Sequence, residues 1–170
     1  MANTGQMLLV LGSLILFSIL LPSVNSSLLY NDRILVSTRA ELAAMSLAQR
    51  IINEANNKVY DEVCLVSHPA SATLMTAPAH LGPETGESYP NFDDVDDFKD
   101  FTFTDSLTME SVQFNVTATV SYVNPNHPSV DVGYQTYIKR LRVSVTGPYL
   151  INPASNTPVQ ITMEQLYAYY

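Results

Sequence analysis

Five aspartates, Asp93, Asp94, Asp96, Asp97 and Asp100, fall within eight residues of a 170-residue chain. Carboxylates at that density suit calcium, which takes six to eight hard oxygen ligands. The spacing is not that of an EF-hand, with no Gly at the sixth loop position and no Glu at the twelfth. Phe92, Val95, Phe98 and Phe101 stand between the aspartates at three-residue steps. Such spacing predicts a turn of helix or 3-10 helix that plugs its apolar side onto the body while its carboxylates stay wet. A calcium site, a solvated acidic turn and a partner contact are three readings of this stretch.

The other residues capable of chemistry are few. Cys64 is the single cysteine and lies in the apolar run Val63-Cys64-Leu65-Val66, so it reads as a buried thiol, and no intrachain disulfide can form. Cys64, His68, His80 and Glu84 can be drawn together as a zinc set, but there is neither a second Cys nor a His pair at ligand spacing. His127 stands between prolines in a turn, and Asn25-Ser26-Ser27 and Asn115-Val116-Thr117 match the common glycosylation sequon. There is no Gly-x-Ser-x-Gly, no phosphate-cradling glycine loop and no His-Glu-x-x-His, so no enzyme is expected. Sixteen acidic residues against eight basic ones give a net charge of -8, the wrong sign for a nucleic-acid partner.

The elements that position these residues read in two halves. From residue 7 to residue 21 no side chain is charged, and only Ser13 and Ser18 are polar. Fifteen helical residues span roughly 22 Å, and extension through Pro22, Val24, Leu28, Leu29 and Tyr30 approaches the ~30 Å of a bilayer core. Small Gly12, Ser13 and Ser18 ahead of Pro22 suit close packing between such stems. Leu35, Leu42, Met45, Ile51, Ile52 and Ala55 then recur at helical steps among Arg39, Glu41, Arg50 and Glu54, which predicts an amphipathic continuation. Beyond residue 100 the period becomes two: Val112, Phe114, Val116, Ala118, Val120 and Tyr122 alternate with polar residues. Asn124-Pro125-Asn126-His127-Pro128 predicts a turn that bars strand continuation. A second strand over 137–145 points Leu141, Val143 and Val145 inward and Arg140, Arg142 and Ser144 outward, and a third starts at Val159. The expectation is an α+β fold, a long hydrophobic-then-amphipathic N-terminal helix packed on a C-terminal antiparallel sheet.

Two stretches resemble the type IV pilin and pseudopilin superfamily, most of all minor pilins of the MSHA-biogenesis and PilV-like kind. One is ELAAMSLAQRIINEANNKVYDE (41–62), similar to a helix end in which A-x-x-L-A-Q precedes an aromatic-Asp-Glu close. The other is LGPETGESYPNFDDVDDF (81–98), similar to a Gly-Pro, Gly-Glu, Phe-Asp-Asp-Val-Asp-Asp-aromatic segment of that group. The resemblance implies a pilin-like division: a prepilin leader over 1–5, a hydrophobic stem and membrane anchor over 6–30, an amphipathic helix over 31–62, a variable loop region over 63–110 that holds the acidic segment, and a sheet over 111–170. It implies processing between Gly5 and Gln6, and a calcium ion in some relatives. Gln6 replaces the usual first mature residue, Val10 stands where the family has Glu, and the leader has no Lys or Arg. Those departures suit a tip subunit, a divergent system or a chain that never enters a filament.

The function implied is structural: a minor pilin or pseudopilin-like subunit of a type IV pilus or type II secretion-like filament, acting through stem packing and surface display. Its expected partners are other pilin subunits, the inner-membrane assembly machinery and the lipid bilayer. It would sit in the inner membrane by one helix, globular part periplasmic, and reach the cell exterior on assembly. The alternative is a membrane-anchored or secreted periplasmic binding module that does not polymerise.

Overall fold

A computed structural model of the chain describes residues 3–106, 108–109 and 112–170. Helix α1, Thr4–Ala55, is 52 residues long and holds Pro22 in its interior. At 1.5 Å per residue it extends about 78 Å. Its apolar part is long and uncharged enough to cross a membrane, and none of that window is buried against the rest of the chain. The two hydroxyls there are satisfied within the helix, Ser13 Oγ donating to the Val10 carbonyl at 2.8 Å and Ser18 Oγ to Ile15 at 2.7 Å. Polar groups closed onto their own backbone are what an apolar surround requires.

Burial begins at Ser37 and continues through Ala40, Ala44, Leu47, Ala48, Ile51, Ile52 and Ala55. This corrects the expected stripe: Ile51, Ile52 and Ala55 do face the core, but Leu35, Leu42 and Met45 are exposed. Four alanines line the contact instead, and their small side chains let the helix axis approach the sheet closely. A hydrophobicity pattern favours the larger leucines, whereas a close approach needs the smaller residues. After α1 the chain turns through 56–61 into α2, Glu62–Val66, whose first turn is capped by Asp61 accepting from the Val63 N–H at 3.2 Å.

The second half is an antiparallel sheet of five strands: β1 Phe101–Asp105, β2 Phe114–Asn124, β3 His127–Asp131, β4 Ile138–Thr146 and β5 Ile161–Ala168. The order is β1-β2-β4-β5, with β3 paired to the far end of β2. The expected three-strand meander therefore lacked two members. β1 continues directly from the acidic turn. β3 forms despite Pro128, because it is a short edge strand that pairs at Asn124↔His127 and Val123↔Asp131 and tolerates a missing donor. His127 is therefore in that strand, exposed, and not in the turn itself.

The alternation read over β2 holds, with Phe114, Val116, Ala118, Val120 and Tyr122 buried. On β4, Leu141, Val143 and Val145 are fully buried beneath α1, each worth about 1.5–3 kcal/mol of burial. Arg140 and Ser144, expected outside, are on the opposite face yet covered. Arg140 is enclosed by Asp131 of β3, by the Ser129 carbonyl at 3.3 Å and by Glu164 of β5 at 3.7 Å. Gly147 ends β4 where a Cβ would meet the Phe114 ring at 2.7 Å, so the turn there requires its missing side chain.

Candidate functional site

The acidic stretch lies where the end of α1, the loop over 82–87 and β4 meet. Its apolar half behaves as the spacing predicts: Phe92, Val95 and Phe98 are buried, with Phe92 and Phe98 edge-on at 5.1 Å and Phe92 and Phe101 at 5.5 Å. Residues 96–98 form the expected 3-10 turn. The segment is tied to the helix end by Val59 N–H to Asp93 O at 3.1 Å and Val95 N–H to Val59 O at 2.9 Å.

The aspartates do not all stay in water. Asp94, Asp96 and Asp97 are buried, while Asp93 and Asp100 are exposed. Nor do the five share one ligand set, because three are committed elsewhere. Asp94 Oδ1 accepts from the N–H of Asp96 at 2.7 Å and of Asp97 at 3.2 Å. Asp97 Oδ2 accepts from the N–H of Asp93 at 2.9 Å and of Asp94 at 3.1 Å. The two side chains thus cap each other's backbone and fix the turn. Asp96 Oδ1 accepts from the Lys139 ammonium.

Lys139 is the residue the sequence reading passed over. It is completely buried and also binds Asp61 Oδ2 at 2.8 Å and the Tyr60 carbonyl at 2.9 Å. The Tyr60 and Tyr122 rings flank the ammonium at 4.7 and 5.4 Å. Asp61 gathers the N–H and hydroxyl of Thr76 and the Tyr122 hydroxyl. Burial opposes ionisation of Asp61, but Lys139 and the backbone N–H groups of Thr76 and Val63 outweigh it and hold its carboxyl below the ordinary value. Burial drives Asp96 upward against the pull of Lys139. Burial, then the charge of Asp96, pushes Asp94 up to about 9, so it is protonated at neutral pH. The inner network therefore sets one ammonium against two carboxylates, with a third carboxyl kept neutral.

A second cluster includes Asp97 of the same turn. Glu84, Glu87 and Asp97 each bring a carboxylate oxygen within 4.8 Å of the other two, and among the described residues no other group of three or more His, Cys, Asp or Glu converges so. The drawn zinc set is not brought together: His68 and His80 are exposed, and Cys64 is half-buried against Met75, Leu81 and Tyr122. Burial, then the Asp61 charge, raises the Cys64 thiol, which disfavours the thiolate form.

The remaining sequence candidates lie on α1. Gly5 and Gln6 are in its first turn, Gln6 N–H bonding Asn3 O at 2.8 Å. Gly12, Ser13, Ser18 and Pro22 are all exposed. At 100° per residue Ser18 and Pro22 sit about 240° and 280° around the axis from Gly12, so the four do not form one face. Five leucines at seven-residue intervals, Leu14, Leu21, Leu28, Leu35 and Leu42, do form a row, and all are exposed. It drifts only about 20° per heptad and continues from the apolar part of the helix into the part packed on the sheet.

Neither protein-family models, nor curated protein sequences, nor solved structures gave a match to this chain. The architecture, a long apolar N-terminal helix on a C-terminal antiparallel sheet, is compatible with a pilin-like fold.

Proposed function

We propose that the chain is a structural subunit of the minor-pilin or pseudopilin kind, serving a type IV pilus or type II secretion-like filament. The observation that carries this reading is the exposed leucine row of α1. Residues 4–33 are all exposed, so about half of the longest element is left to be covered by something outside it. Lipid covers such a surface before assembly, with the globular half on the periplasmic side. Stems of neighbouring subunits cover it afterwards, and a seven-residue leucine row is the surface that helix-on-helix packing selects. The sheet and its loops then present surface, and packing rather than chemistry is the work.

Intact-mass analysis of the chain recovered from membranes tests this. The expected product lacks residues 1–5, begins at Gln6 and carries an added N-methyl group. Cleavage near residues 23–27 sinks the proposal and marks instead an exported module that does not polymerise.

A further inference from the structure

We propose that Glu84, Glu87 and Asp97 form a calcium site that locks the 82–87 loop onto the acidic turn. Two oxygens that bind one calcium at about 2.4 Å lie no more than 4.8 Å apart, and all three pairs here meet that limit. The loop is built to hold this shape: Glu84 N–H donates to Glu87 Oε2 at 3.2 Å, Glu87 N–H to Glu84 O at 3.0 Å, and Gly86 closes the turn at φ +102°. That φ favours glycine.

Asp97 supplies the independent observation. Its side chain is 1 % exposed, its Oδ2 is taken by two backbone N–H groups, and its Oδ1 is buried without a hydrogen-bond partner. Glu84 Oε2 is buried and unpartnered as well. Among the described residues no Lys, Arg or His is ion-paired with Glu84, Glu87 or Asp97. Buried carboxylates are ordinarily paired with a cation or bound to a metal. The all-oxygen donor set excludes the soft metals, and backbone carbonyls and water supply the remaining positions of an open calcium shell. Magnesium, which demands an octahedron at about 2.0–2.1 Å and gives up its water reluctantly, suits three flexible carboxylates less well. The site does not depend on whether the chain enters a filament.

The test uses the full chain in detergent micelles, stripped with EDTA and titrated with calcium alone. One calcium per chain is expected by calorimetry, with a melting midpoint roughly 3–8 °C higher in millimolar calcium than in EDTA. Glu87→Gln and Glu84→Gln lose at least tenfold in affinity, while Asp93→Asn and Asp100→Asn, exposed members of the same acidic run, keep the response. Asp97 also caps the turn, so the two glutamate variants decide the matter if Asp97→Asn does not fold. No heat and no midpoint shift at millimolar calcium overturns the site. Equal losses in the Asp93 and Asp100 variants overturn it in favour of diffuse charge, and an equal response to magnesium overturns the assignment to calcium.

Discussion

Lys139 holds together three segments that are far apart in the chain: the turn after α1, the acidic turn and β4. Its ammonium is fully enclosed, so removing it leaves Asp61 and Asp96 as buried charges facing each other. Lys139→Met is expected to lose about 3–5 kcal/mol at pH 8, the range for breaking a buried pair from one side. In the parent, Asp61 lies below its ordinary value, so its contribution is present above that value and fades only as pH falls through the folded one. In the variant both carboxyls rise above their ordinary values, so its stability falls as pH rises and recovers toward pH 5. Denaturant unfolding at pH 5 and pH 8 measures this; a variant as stable as the parent at pH 8 ends the claim. Period two places Lys139 on the inner face with Leu141, Val143 and Val145, so its direction was legible in the sequence. Its partners were not, since Asp61 and Asp96 reach it only through tertiary contacts.

At the scale of the element, α1 divides by its neighbours. Its first part is uncharged and largely apolar over 7–21, and its last part presents alanines to the sheet and leucines to the outside. Ala48 is fully buried against the core, and Ala48→Leu inserts three carbons where there is no room. A loss of about 1–3 kcal/mol is expected, read as a lower denaturation midpoint. A change of less than about 0.5 kcal/mol, the size expected of an exposed site, contradicts the packing described. Helix and sheet were both readable from period alone, and so was the plug of Phe92, Val95 and Phe98. The face that α1 buries was not, because leucine and alanine are both compatible with either side until the sheet's distance is known. Of the two strands not expected, β1 carries its own alternation in Phe101-Thr102-Phe103-Thr104 but is only five residues long, whereas β3 has a weak pattern and forms because β2 offers it a partner.

At the scale of the molecule, a helix about 78 Å long carries a body at only one end. Leu14 lies within the uncharged part, and an arginine there costs about 2.5–3.5 kcal/mol at a helix centre in lipid. Leu14→Arg is expected to shift the chain from the alkali-resistant membrane fraction toward the soluble one, measured by membrane extraction. Unchanged retention contradicts anchoring by this part of the helix. The globular half, by contrast, is closed by its own contacts: α1 covers β2, β4 and β5, and the acidic turn seals the end of the helix against β1.

The sequence by itself determined the α+β class, the apolar stem, the alternation of β2 and β4 and the direction in which Lys139 points, because each depends on local period. The tertiary structure alone decided which carboxylates are wet and which are not. Asp94, Asp96 and Asp97 follow the same spacing as their exposed neighbours Asp93 and Asp100. What separates them is a lysine some forty residues later, which reaches Asp96, and the backbone N–H groups of the turn, which Asp94 and Asp97 accept. Charge is retained inside only where the fold supplies a partner, and that partner is a matter of position in space.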